Sequence, residues 1–128
     1  MRLWHQDMIS IMPRQQLLGQ HREVCALRGN GWGKPHSVVN YVFNYSMDRL
    51  YAYHIEVMEE MKKRGYKVDV LWYDPNYRGK ICPPRTDAKI IKYNGIIYPE
   101  HNDLYLHLCL ENINEKLALQ GIKIEMRG

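Results

Sequence analysis

Three stretches of the 128-residue chain repeat apolar residues at helical spacing, and each stops at a glycine; this pattern limits the possible folds more than any other feature. The first follows Pro13, whose fixed φ suits a helix start, and runs to about Arg28, where GNGWGKP (29–35) ends it. Leu17, Leu18, His21, Val24 and Cys25 share one of its faces. The second spans about Ser46 to Arg64, with Met47, Leu50, His54, Val57, Met58 and Met61 as its stripe and Gly65 as its terminator. The third opens near Pro99 and continues to about Leu119, with Leu106, Leu110, Ile113 and Leu117 inward and Gly121 at its end. HSVVNYVFNY (36–45) suits a short strand or a buried helical turn, and the turn is the reading adopted. Proline, glycine and basic residues dominate 74–99, which reads as irregular with room for a short strand pair. The expected class is mainly α: a single compact domain over 1–128, of three principal helices with a long irregular basic segment between the second and third.

A hydrophobic content of 45% supplies a core and argues against disorder. The net charge of +4 favours a polyanionic partner such as nucleic acid. Ten Tyr and three Trp against one Phe suit either a gripping surface or a small core with hydroxyls at its edge. Three Cys without a C-x-x-C pair point to reduced thiols and a cytoplasmic home. No apolar run reaches membrane-spanning length and the N-terminus lacks a signal-peptide core, so no membrane partner is expected. The six His show no H-E-x-x-H and no close ligand spacing; no metal site is expected, and His21 and His54 read as core histidines. GNGWGKP fails as a phosphate loop: its glycines are one residue too close, Pro35 replaces the needed Ser or Thr, and a helix precedes it. It reads as a flexed loop whose Trp32 is either exposed or a cap on the core.

At 100° per residue, Gly19, Arg22 and Ala26 fall within about 40° of Gln15 on the first helix, opposite its apolar face. Glu23 flanks that stripe. Small residues on either side of Arg22 would let a partner approach the backbone closely; an ordinary solvated face is the alternative. Glu23 has no nucleophile near it in sequence.

QQLLGQHRE, EVMEEMKKRGY and YPEHND…NEKLA, together with the MR start, resemble in order and spacing the pyrimidine-dimer DNA glycosylases of the phage endonuclease V type. The resemblance spans nearly the whole chain. It implies a DNA repair enzyme that excises a damaged or modified pyrimidine from double-stranded DNA and then cleaves the strand at the abasic site, without metal or other cofactor. It implies a Schiff base on the chain's own α-amine, with Glu23 as acid/base and electrostatic partner. An N-terminal segment threaded between the helices would bring that amine to Glu23. Because Arg2 disfavours removal of the initiator, Met1 is the expected nucleophile, with one extra residue before Glu23 absorbed within His5–Ser10. Arg2 and Arg22 would grip phosphates and Gln15 would support the backbone of the opened site. The family's further arginine is Ala26 here, its histidine is Gln16, and its aromatic tail is missing, which makes Arg78, Lys80 and Arg85 the replacement DNA contacts. These departures touch the choice of lesion more than the chemistry. A monomer is expected. A non-catalytic nucleic-acid-binding helical module and a partner-binding protein remain the alternatives.

Overall fold

The computed structural model describes residues 2–35 and 38–118. Three helices carry the fold: α1 (Arg14–Arg28), α2 (Met47–Lys63) and α3 (Asp103–Ala118). Short 3-10 turns at Gln6–Ile11, Asn40–Asn44 and Val70–Tyr73 punctuate the connections. Among the described residues there is no strand, so 74–98 is irregular throughout. The class is mainly α, as the helical periodicities imply. Asn40–Asn44 takes the helical turn; His36, Ser37, Leu119 and Gly121 lie outside the described residues.

Both ends of α1 follow from local chemistry. Pro13 is its N-cap, and its carbonyl accepts from Leu17 N at 3.0 Å. At the other end Gly29 N and Gly31 N donate to Cys25 O (3.0 Å) and Ala26 O (2.8 Å). A Cβ on Gly31 would lie 2.8 Å from Ala26 O, so the chain can double back this tightly only without a side chain. α2 begins after Ser46 and ends at Gly65, whose φ of +82° suits only glycine well. α3 starts four residues later than expected. Tyr98 O accepts from His101 N in a turn, and the Asn102 side chain then accepts from Tyr105 N at 2.9 Å to open the helix.

α1 packs on α2, and the N-terminal turn packs on α2 as well. One core joins Leu17, Val24 and Leu27 of α1, Leu50, Tyr53, Val57 and Met61 of α2, and Cys109, Ile113 and Leu117 of α3. Leu106 and Leu110, expected inward, are partly buried at its edge. Trp32 packs edge-on against Phe43 at 5.2 Å and so caps the core rather than projecting from its loop.

Long irregular backbone needs hydrogen-bond partners from outside itself, and tyrosines and arginines supply them. Tyr51 donates to Tyr73 O (2.6 Å), Arg49 to Ile97 O (2.8 Å) and Arg64 to Met12 O (2.6 Å). Arg28 is fully buried without a carboxylate. Its guanidinium donates to Trp72 O, Asp74 O and Tyr77 O at 2.8 to 3.1 Å and lies 5.1 Å from the rings of Tyr51 and Trp72. Burial lowers its pKa to about 10, so it still carries its charge at neutral pH. Leaving such carbonyls unpaired would cost roughly 1–3 kcal/mol each. Arg28 thus clips segment 72–77 onto α1.

Candidate active site

The N-terminal residues Leu3, Trp4 and His5 lie in no helix and are buried. Their backbone is held from all three helices: Tyr105 of α3 donates to Leu3 O (2.6 Å), Tyr53 of α2 to Trp4 O (2.6 Å), and Gln20 of α1 accepts from Trp4 N (2.7 Å). The segment therefore runs between the helices and leads to Glu23. Arg2 N–H faces the Glu23 carboxylate and favours its charged form. Met1 itself lies outside the described residues.

A cleft of about 680 Å³ opens there, lined by Arg2 and Trp4 of the N-terminal segment, by Gln15, Gly19, Arg22 and Glu23 of α1 and by Asn112 and Lys116 of α3. Gln15 and Arg22 are exposed on the outer stripe of α1, and Glu23 is half-buried on its flank. A Cβ on Gly19 would meet Arg22 Nη2 at 3.7 Å, so the guanidinium lies across the small residue. The Trp4 ring has Arg2 at 5.7 Å and Lys116 at 5.3 Å. Burial raises the Glu23 carboxyl above its ordinary value; the chain's terminal charge, the Arg2 N–H, Lys116 and Arg22 oppose that rise. The cleft therefore joins three cationic side chains, suited to a polyanion, with one carboxylate half withdrawn from water.

Four expected site residues, Arg2, Gln15, Arg22 and Glu23, meet in this cleft. The three loop cations do not. Arg78 and Lys80 line a separate cleft at the far end of α1 with Ala26 and Gly29. Arg78 donates to Arg28 O (2.9 Å) and Gly29 O (3.0 Å), satisfying terminal carbonyls of α1 where a cation also suits the helix dipole. Arg85 pairs with Asp48 at 2.8 Å and Asp87 at 3.5 Å. Lys80 is exposed. Lys116, Asn112 and Gln20 were not among the expected site residues. Gln20 carries one readable signal, a polar side chain at the inward spacing of Leu17 and Val24.

A second cluster brings His21, Cys25 and His54 together, with ligand-type atoms within 4.8 Å of one another: His21 and Cys25 share a face of α1, and α2 adds His54. Arg28 Nη1 lies 2.9 Å from His54 Nδ1. A guanidinium only donates, so Nδ1 accepts, and neutral His54 carries its proton on Nε2. That proton points to His21 Nδ1 at 2.9 Å. Burial and the Arg28 charge keep His54 well below its usual pKa, and burial pushes the Cys25 thiol up to about 12. A cation here would have to displace the Nε2 proton and face Arg28, so these residues fit a hydrogen-bonded core network and not a metal centre.

A cationic cleft on a small helical scaffold, closed by the N-terminal segment, suits a protein that contacts nucleic acid. The family model for pyrimidine dimer DNA glycosylase matches residues 1–74, and the chain belongs to that family. Its general activity is that of a DNA repair glycosylase and its substrate is DNA. The matched stretch contains α1, α2 and the N-terminal segment; Asn112 and Lys116 lie beyond it. No curated protein and no solved structure gives a significant match. No helix among the described residues is long and apolar enough to cross a membrane.

Proposed function

We propose that the protein excises a damaged or modified pyrimidine and then acts as an abasic-site lyase, with the α-amine of Met1 as nucleophile and Glu23 as its partner. The observation that carries this reading is that one NH₂ group, on Gln20, donates both to Arg2 O (2.9 Å) and to Glu23 Oε2 (3.2 Å), holding the Arg2 backbone beside the carboxylate. A residue's amine stays within about 3.6 Å of the next backbone nitrogen whatever its conformation. The nucleophile is therefore kept beside the carboxylate by covalent bonding.

The amine suits the task better than a lysine. With a reference pKa of about 7.7–8.0, roughly one amine in ten is neutral at pH 7, against fewer than one in a thousand at the lysine value of about 10.4. The neutral amine attacks C1′, and the C1′–N bond breaks with its electron pair on the departing base, which takes up a proton. Loss of a proton from nitrogen and opening of the sugar gives an iminium. That cation acidifies C2′; removal of a C2′ proton expels the 3′ phosphate, and water then hydrolyses the imine. A half-buried carboxylate stabilises the cation and relays these protons. Arg2 and Arg22 hold the flanking phosphates, and Gln15 supports the strand around the extruded nucleotide.

At the far end of α1 we assign the phosphate contact to Lys80, with Arg78 and Arg85 holding the loop that carries it. Removing one cation that neutralises a phosphate lowers the slope of log K against log salt by about 0.9 on duplex DNA. Arg22→Ala and Lys80→Ala should each show that drop on undamaged duplex. Arg78→Ala should keep the slope and lower the melting temperature. An unchanged slope in Arg22→Ala would remove α1 from the DNA interface.

Borohydride reduction during reaction with an abasic duplex tests the central step. The expected product is a covalent adduct that mass spectrometry locates at Met1. An adduct on Lys116, which shares the cleft, or the absence of any adduct would overturn the assignment.

A further inference from the structure

We propose that Gln20 is a positioning residue for the reaction, a clamp that fixes the N-terminal segment and the Glu23 carboxylate relative to each other. The proposal rests on the N-terminal amine being the nucleophile.

Gln20 is 1% exposed, in the middle of α1, and its amide spends every hydrogen-bonding position on the site. Oε1 accepts from Trp4 N at 2.7 Å and faces the Tyr53 hydroxyl at 3.0 Å. Nε2 donates to Arg2 O at 2.9 Å and to Glu23 Oε2 at 3.2 Å. The amide cannot be reversed, because Trp4 N–H only donates and Arg2 O only accepts. One rigid plane therefore bridges the backbone on both sides of Leu3 to the carboxylate one helical turn further along α1. The Tyr53 hydroxyl reinforces it, its single proton lying between Trp4 O (2.6 Å) and Gln20 Oε1.

The consequence is geometric. The amine is joined to Arg2, whose carbonyl Gln20 holds, and the carboxylate it must work with is held by the same NH₂ group. Neither can shift along α1 without breaking a bond to the other's anchor. A misplacement of about 1 Å between reacting groups can cost about 10²-fold in rate. The clamp engages one carboxylate oxygen of Glu23, Oε2, and leaves the other to the cleft.

Two substitutions separate this role from mere packing. Gln20→Leu removes all four bonds. Gln20→Glu keeps the acceptor side toward Trp4 N–H and Tyr53 but replaces the NH₂ by an oxygen that can donate only while protonated. Among the described residues the groups that act on Glu23 are the Arg2 backbone, Arg22 on α1, Tyr53 on α2 and Lys116 on α3, and the donor to Arg2 O is Gln20 Nε2. The measurement is the borohydride-trapping rate on abasic duplex as a function of pH, with duplex affinity and melting temperature recorded for each variant. The wild-type adduct is located first. Gln20→Leu should trap about 10²-fold more slowly with duplex affinity within about threefold of wild type. For Gln20→Glu the ratio of its rate to the wild-type rate should fall roughly tenfold between about pH 6 and about pH 9, as the new acid ionises against Glu23. A structural defect alone would give a ratio independent of pH. If the wild-type adduct forms at Met1 and the Gln20→Glu ratio stays flat, the clamp is overturned and the amine mechanism stands. If the wild-type adduct forms elsewhere, both fall. Should Gln20→Leu fail to fold, the pH-dependent ratio of Gln20→Glu decides alone.

Discussion

Glu23→Gln should abolish base excision to within assay sensitivity of a drop of roughly 10²-fold or more, the scale of a positioned acid–base or electrostatic group, while duplex binding survives. The substitution preserves shape and one acceptor oxygen; it removes the charge and the proton relay and turns the second acceptor into a donor. The effect should be large because the carboxylate is half withdrawn from water: a charge in a partly desolvated cleft acts on a neighbouring cation more strongly than one in bulk solvent. Three cationic side chains remain in the cleft, so phosphate binding should change little. Gel-shift affinity on an uncleavable duplex and single-turnover excision on the damaged one separate the two quantities. Near-normal excision by Glu23→Gln would reduce Glu23 to a surface residue that happens to line a basic cleft.

Acetylating the N-terminus should remove both excision and strand cleavage completely. An amide nitrogen has no nucleophilic lone pair, so no Schiff base can form on it. The melting temperature should hardly move, because the buried residues Leu3 to His5 and their bonds to the three helices are untouched. The unmodified enzyme should gain trapping rate as pH rises through the range of an α-amine, about 7.7–8.0, and plateau above it. An acetylated protein that still cleaves abasic DNA would move the chemistry to a side chain.

α1 and α2 were legible in the sequence because their punctuation is local: Pro13, the Gly29–Gly33 run, Ser46 and Gly65 act within a turn of where they stand. The start of α3 was misplaced because Pro99 permits a helix start, whereas Asn102 supplies the cap. Of the site, the outward stripe of α1 and its flanking carboxylate could be read from angles alone, and the resemblance added Arg2. The clamp could not. Gln20 looks like any helical glutamine until the N-terminal segment lies against it, and the bond from Tyr105 to Leu3 joins residues 102 apart. The partners of the loop arginines were hidden for a related reason. Charge in a proline-rich loop reads as a surface for polyanions, but Arg78 donates to the last carbonyls of α1 and Arg85 pairs with Asp48. Composition counts donors without saying which acceptor they meet.

Arg28 and Arg78 have a mechanical consequence. Arg28 binds the C-terminal end of α1 to the carbonyls of Trp72, Asp74 and Tyr77, Arg78 reaches back to the carbonyls of Arg28 and Gly29, and just before the other end Arg64 of α2 holds the Met12 carbonyl. A helix secured at both ends is an anvil rather than a jaw. On the proposed reading, a nucleotide can reach the amine only if the duplex yields. Bending a site of 20–30 base pairs smoothly costs on the order of 1–6 kcal/mol, and a lesion that has already weakened stacking lowers that cost. An unyielding frame would then discriminate by compliance, accepting the stretch of DNA that gives way and passing over the stiff duplex on either side, before any contact with the damaged base has been made.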